Sequence, residues 1–158
     1  MINLQEIVIP ELAFDAGAVA NQEQLFKLIV NRLREFGITT DQDILLEGFK
    51  KREELCSTGV GHGVALPHAA TSAIDRIVVV VVRLNPGLKW QARDELPVNL
   101  IVALVSPPSL YGTYLQVLAA LARVLRLPAV REAMLSAPTA ADAARVLVRF
   151  VQEQTQEI

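Results

Sequence analysis

Ile77-Val78-Val79-Val80-Val81-Val82, closed by Arg83, decides the fold. Six β-branched residues in a row are too few for most helices. They leave neither face polar, which is the pattern of a central strand covered on both sides. A second apolar stretch, residues 98–105, ends at Ser106-Pro107-Pro108 and predicts another such strand. Asn85-Pro86-Gly87 between them carries a turn signal. The flanks supply the cover. Residues 112–125 place Leu115, Leu118, Ala119, Ala122 and Leu125 on one helical face, and Pro128 suits the first turn of a short helix. Thr139 with Asp142 opens a last helix whose apolar face is Ala143, Val146, Leu147 and Phe150. Upstream, Asn21 with Gln24 predicts a capped helix through Leu25, Leu28, Ile29, Leu33 and Phe36, stopped at Gly37. A second helix starts at Thr40 or Asp41, burying Leu45, Leu46 and Phe49, and Ile7-Val8-Ile9-Pro10 reads as a short edge strand. Strands with two apolar faces, interspersed with amphipathic helices, imply an α/β layered domain.

Composition agrees. The chain has 158 residues, 52% of them hydrophobic, which suffices for a sizeable core and argues against disorder. The length predicts one domain over residues 1–158. A formal net charge of -2 and a pI near 5.7 argue against a nucleic-acid partner. A transmembrane helix needs about 20 apolar residues, and the run at Ile77 has six, so no membrane insertion is expected. The start of the chain carries Glu6 and no basic segment, unlike a secretory signal. One cysteine can form neither an internal disulfide nor a Cys-rich zinc site, and a cytoplasmic location is expected.

The chemistry concentrates in Cys56-Ser57-Thr58-Gly59-Val60-Gly61-His62-Gly63-Val64-Ala65-Leu66-Pro67-His68. Alternate glycines predict a loop with unusual backbone angles, followed by a short strand over residues 64–66. Both histidines of the chain lie here. An imidazole is mostly neutral and nucleophilic near neutral pH. Pro67 stiffens the approach to His68, which sits at a strand end and reads equally as a structural capping residue. Cys56, His62 and His68 match no standard zinc spacing. No Gly-Lys-Ser/Thr follows the glycines, so they are not a nucleotide loop. Cys56 lacks a protease motif and reads as a packing residue. Arg52, just upstream, is suited to phosphate because its fork can bond two oxygens. Trp90, Tyr111 and Tyr114 read as partial core.

Arg52-Glu53-Glu54-Leu55 and the stretch from Cys56 to His68 together resemble the active-site signature of fructose/mannitol-type enzyme IIA domains. These domains belong to the phosphoenolpyruvate-dependent sugar phosphotransferase system. The signature is also that of stand-alone nitrogen-regulatory IIA proteins. The resemblance continues through residues 77–82, 96–105 and 114–122. It implies a mixed β-sheet flanked by helices and a phosphoryl carrier whose acceptor is His68. The implied donor is the histidine-containing phosphocarrier protein. An enzyme IIB or a regulatory target is the implied downstream partner, and no metal or other cofactor is implied. Arg52, Ser57 and Thr58 are the expected phosphate-binding residues, because catalysis of this transfer is mainly positioning and charge stabilisation.

The sequence also departs from the family pattern. Tyr114 stands where a second histidine is common; its phenol can donate to phosphate but cannot act as a titrating imidazole. His62 stands where asparagine is usual and offers a compensating imidazole beside the phosphate. Cys56 replaces a common glycine, and Ala69-Ala70-Thr71 replaces a small-basic continuation. These departures motivate an alternative in which the chain is a regulatory binding module that keeps the fold without phosphotransfer. A small metal-dependent or hydrolytic enzyme built on the two histidines is a third reading.

Overall fold

The structure is a computed structural model that describes residues 3–91 and 94–156. Its centre is a long antiparallel pair, β5 (Val78–Leu88) and β6 (Val98–Ser106), in register from Val78↔Val105 to Arg83↔Leu100. Strand β1 (Phe14–Asp15) adds in parallel to β5. The other edge of β6 carries two short strands end to end, β3 (Val64–Ala65) and β4 (His68–Ala70), both parallel to it. β2 (Gly59–Gly61) closes that side, antiparallel to β3. The result is a mixed sheet in the order β1-β5-β6-β3-β2, with β4 paired to β6.

Helices cover both faces, as the apolar strands require. Val79 and Val81 of β5, with Leu100, Val102 and Leu104 of β6, face a core shared with α4 (Tyr111–Leu125), α5 (Pro128–Ser136) and α6 (Ala140–Gln156). Val78, Val80 and Val82, with Ile101, Ala103 and Val105, face a second core under α2 (Gln22–Glu35) and α3 (Gln42–Leu55). Each buried valine is worth roughly 1.5–3 kcal/mol of transfer energy, so burial on both faces anchors this pair at the centre of the sheet. Among the described residues no single helix is long and apolar enough to cross a membrane.

Several elements follow their local signals. Asn21 Oδ1 accepts from Gln24 N at 2.9 Å and Asp41 Oδ1 from Ile44 N at 3.1 Å, capping α2 and α3. Gly37 follows α2 with φ +70°. Other expectations are corrected. Ile7-Val8-Ile9-Pro10 is not a strand: the short helix α1 (Leu4–Ile7) and a 3-10 turn (Pro10–Leu12) meet there, and Val8 makes one bridge to Val79. The edge strand forms a few residues later, where Asp15 reaches Arg83. Asn85-Pro86-Gly87 does not end its strand. It forms an irregularity within β5, and pairing resumes at Leu88↔Val98. The buried face of α4 is rotated to Tyr114, Val117, Leu121, Val124 and Leu125, leaving Leu115 and Ala119 exposed. Leu28 of α2 and Phe36, just after its end, are exposed as well.

Candidate functional site

The unusual backbone angles expected between Cys56 and His68 fall at a turn between two short strands, and the strand expected over residues 64–66 forms as β3. β2 and β3 form a tight hairpin, turned by Gly61, His62 and Gly63 with φ of +89°, +58° and +79°. A Cβ on Gly63 would lie 2.9 Å from Asn99 Oδ1, so glycine is demanded there twice over. The chain then steps from β3 to β4 through Leu66-Pro67. Leu66 N–H donates to Thr58 O, and Leu104 N–H donates to Pro67 O, both at 3.0 Å. His68 therefore starts a strand, paired with Leu104, instead of ending one. Its backbone is pinned on both sides, which gives the ring a rigid base.

Helix α3 supplies the partner. Gly48 lies against β4, where a Cβ would stand 3.3 Å from Ala69 Cβ. This close approach brings the face of α3 that carries Gly48, and Arg52 four residues on, down to the strand that carries His68. Arg52 Nε–H donates to His68 Nε2 at 3.0 Å, and Arg52 Nη1 donates to Cys56 O at 2.8 Å. On the far side of the ring, His68 Nδ1 lies 2.7 Å from Leu66 O. A carbonyl only accepts, so Nδ1 carries the proton and Nε2 presents its lone pair to the guanidinium. His68 is 9% exposed, and burial pushes its pKa below the ordinary value. The Leu66 carbonyl opposes that push, the Arg52 charge reinforces it, and Glu53 opposes it. The ring is thus held neutral with a nucleophilic Nε2.

Tyr114, in the first turn of α4, packs beside the His68 ring. Its ring centroid lies 5.9 Å from that of His68, and the exposed Tyr111 ring lies tilted 5.6 Å from it. Burial pushes the Tyr114 phenol up to about 12, with Arg52 lowering it and Tyr111 raising it. It remains a neutral O–H donor across the working range.

The structure brings together His68, Arg52 and Tyr114. It does not bring the other expected residues onto the ring. Thr58 is buried, with both its N–H and its hydroxyl donating to the Glu53 carboxylate at 3.0 and 2.6 Å. Ser57 Oγ donates to Gln91 O and accepts from Gly59 N–H at 3.1 Å. His62 is exposed at the hairpin turn, its N–H donating to Asp94 Oδ2 at 2.7 Å. It lines a groove of about 960 Å³ with Ser57, Trp90, Gln91 and Arg126, to which neither His68 nor Arg52 contributes. Among the described residues no three of His, Cys, Asp and Glu converge in a way that could hold a metal ion.

Two participants were not legible as such in the sequence. Leu66 sets the tautomer through its backbone, which no residue type announces. Glu53 accepts from Trp90 Nε1–H at 2.9 Å in addition to Thr58; its place beside Arg52 was the only available hint.

Comparison with known proteins agrees with this fold. A 33% identical relative, the nitrogen regulatory protein of Pseudomonas aeruginosa, matches over 89% of this chain and 91% of its own. The fructose-specific EIIA component of Haloferax volcanii is 31% identical over 84% of this chain and 86% of its own. The crystal structure of the nitrogen regulatory protein IIA-Ntr from Neisseria meningitidis superposes with a TM-score of 0.81 at 28% identity, covering 90% of this chain and 97% of that one. The description of the phosphoenolpyruvate-dependent sugar phosphotransferase system EIIA 2 family matches residues 7–149, and the chain belongs to that family.

Proposed function

We propose that the protein is a phosphoryl carrier that accepts phosphate on His68 Nε2 from the histidine-containing phosphocarrier protein. The observation that supports this most directly is the paired hold on one imidazole. Leu66 O holds the proton on Nδ1, and Arg52 stands at the lone pair of Nε2. In the transfer, that lone pair forms the new N–P bond. The bond between phosphorus and the donor's ring nitrogen breaks, and its electron pair returns to the donor ring. The His68 ring becomes positive, and the Nδ1–H bond to Leu66 O strengthens against that charge. Once Nε2 is bonded to phosphorus, Arg52 loses its acceptor there and turns to the phosphoryl oxygens. Among the described residues the half-buried guanidinium has only Cys56 O as its other partner, so it can pivot. Tyr114 O–H offers a second, uncharged donor, and Ser57 could join only by leaving Gln91 O.

The relatives carry both transport and regulatory names. The regulatory role is our reading for this chain, with phosphorylation state setting which target protein is bound; an enzyme IIB is the partner in the transport version. A second reading, a binding module without phosphotransfer, is favoured by one observation: Nε2 is shielded by Arg52 and the ring is nearly buried.

Incubation with phosphoenolpyruvate, enzyme I and the phosphocarrier protein separates the two. The carrier reading expects one acid-labile phosphate, absent in His68→Ala and retained in His62→Ala. No labelling with several phosphocarrier homologues would leave the binding module.

A further inference from the structure

Arg52 sits on the last turn of α3, where a helix normally frays. Something must hold that turn if the guanidinium is to stay on His68. The next residue, Glu53, is tied by three hydrogen bonds from two other parts of the chain. Thr58 donates twice, across the start of the hairpin, and Trp90 Nε1–H donates once, from a segment 37 positions away. Trp90 is itself 3% exposed and stands edge-on to Phe26, with ring centroids 6.1 Å apart. Phe26 stacks on Phe49 at 5.3 Å. Phe49 and Glu53 are four residues apart on α3 and share one face. Trp90 thus grips that helix face at two heights, by ring packing through Phe26 and by its N–H at Glu53. The closed circuit Phe49–Phe26–Trp90–Glu53 leaves the last turn of α3 little freedom to rotate.

We infer that Trp90 and Glu53 are positioning residues, which aim the Arg52 guanidinium at His68 Nε2 without touching the phosphoryl group themselves. The inference rests on the carrier reading for its consequence in transfer, but the aiming itself is a property of the unphosphorylated protein. The indole N–H is the part that matters. A phenylalanine at 90 keeps the ring in the core and deletes the donor, leaving a carboxylate oxygen of Glu53 short of one bond.

The test compares Trp90→Phe and Glu53→Gln with the parent protein and with Leu147→Ala, a core truncation under the opposite face of the sheet. The first readout is the NMR titration of His68 in unphosphorylated protein. The groups facing that ring are Arg52, Glu53 and Tyr114. The inference expects Trp90→Phe to move the His68 titration upward, as the guanidinium drifts from the ring. Leu147→Ala should lower thermal stability and leave that titration in place. The second readout is single-turnover transfer from the phosphorylated phosphocarrier protein. Trp90→Phe should lower the saturating rate about tenfold and keep the half-saturating concentration within about twofold. Glu53→Gln is read by the transfer rate alone, where a similar loss is expected, because deleting its charge shifts the ring directly. An unmoved His68 titration in Trp90→Phe overturns the inference. So does an equal shift in Leu147→Ala at matched loss of stability, which would make the effect general loosening. If the titration shifts as expected but the parent protein takes no phosphate, the aiming stands and the carrier reading fails.

Discussion

At the scale of single residues, the two nitrogens of His68 decide the chemistry. Arg52 is the only cation whose side chain reaches either of them among the described residues. Replacing Arg52 with alanine should slow phosphoryl transfer by about 10²- to 10³-fold, the usual cost of deleting one donor to a developing anion. Arg52→Lys should recover part of that, since a lysine brings charge without the fork. Rapid-quench measurement of the transfer step checks both; a loss under about threefold in Arg52→Ala would remove it from the mechanism. The pH dependence has a definite sign. Folding depresses the His68 pKa below its ordinary 6.5, so the neutral ring is favoured in the folded state. Stability from that preference is complete above about 6.5 and is lost as the pH falls through the lower folded value. The transfer rate should therefore hold level from pH 8 down to 6.5 and decline only below it. A rate already halved above pH 6.5 contradicts the environment described for the ring. These two nitrogens also mark what a sequence can show. His68 stood out because only two histidines exist and one follows a proline, but which nitrogen is free depends on a backbone carbonyl two residues away.

At the scale of elements, the decisive contact is between α3 and β4. Gly48 interrupts an otherwise good helical segment, a placement that costs about 1 kcal/mol relative to alanine in an exposed helix. Propensity alone says Gly48→Leu should stabilise the protein. The 3.3 Å approach to Ala69 says the reverse, because a branched side chain must push α3 off the strand. We expect a net loss of about 1–3 kcal/mol in urea unfolding, with transfer at His68 slowed as Arg52 is lifted away. A more stable Gly48→Leu variant with full transfer activity would show that the helix does not need to lie so close. Element types were largely legible in the sequence: β5, β6, α2, α3 and α6 follow from apolar spacing, from caps at Asn21 and Thr139, and from a helix start at Thr40 or Asp41 that the structure fixes at Asp41. The misreading of Asn85-Pro86-Gly87 has a physical cause. These residues carry turn chemistry, and turn chemistry serves equally for an irregular strand or a two-residue hairpin turn. Their outcome was set by pairing with residues 97–101, which local signals do not contain. The rotated face of α4 has a similar origin. Its alanines and leucines surround much of the helix, so composition could not choose between Leu115 and Tyr114; contact with His68 and the sheet chose.

At the scale of the whole molecule, two cores on opposite faces of one sheet meet the site from different directions. Arg52 and Trp90 belong to the α2–α3 side, Tyr114 to the α4–α6 side, and His68 sits on the strand between them. The layered α/β plan was readable from residues 77–82 and 98–105 because two-sided burial leaves a continuous apolar run. That Arg52, His68 and Tyr114 meet was not, since it depends on β4 pairing with the C-terminal end of β6, the end from which α4 follows. The central claim is that phosphate enters on Nε2 of His68 while Nδ1 keeps its proton against Leu66 O. Phosphorylated, ¹⁵N-histidine-labelled protein examined by NMR tests it directly. The account predicts ³¹P–¹⁵N coupling at Nε2 of His68, with a proton retained on Nδ1. Coupling at Nδ1, phosphate on His62, or no phosphohistidine at all would contradict it.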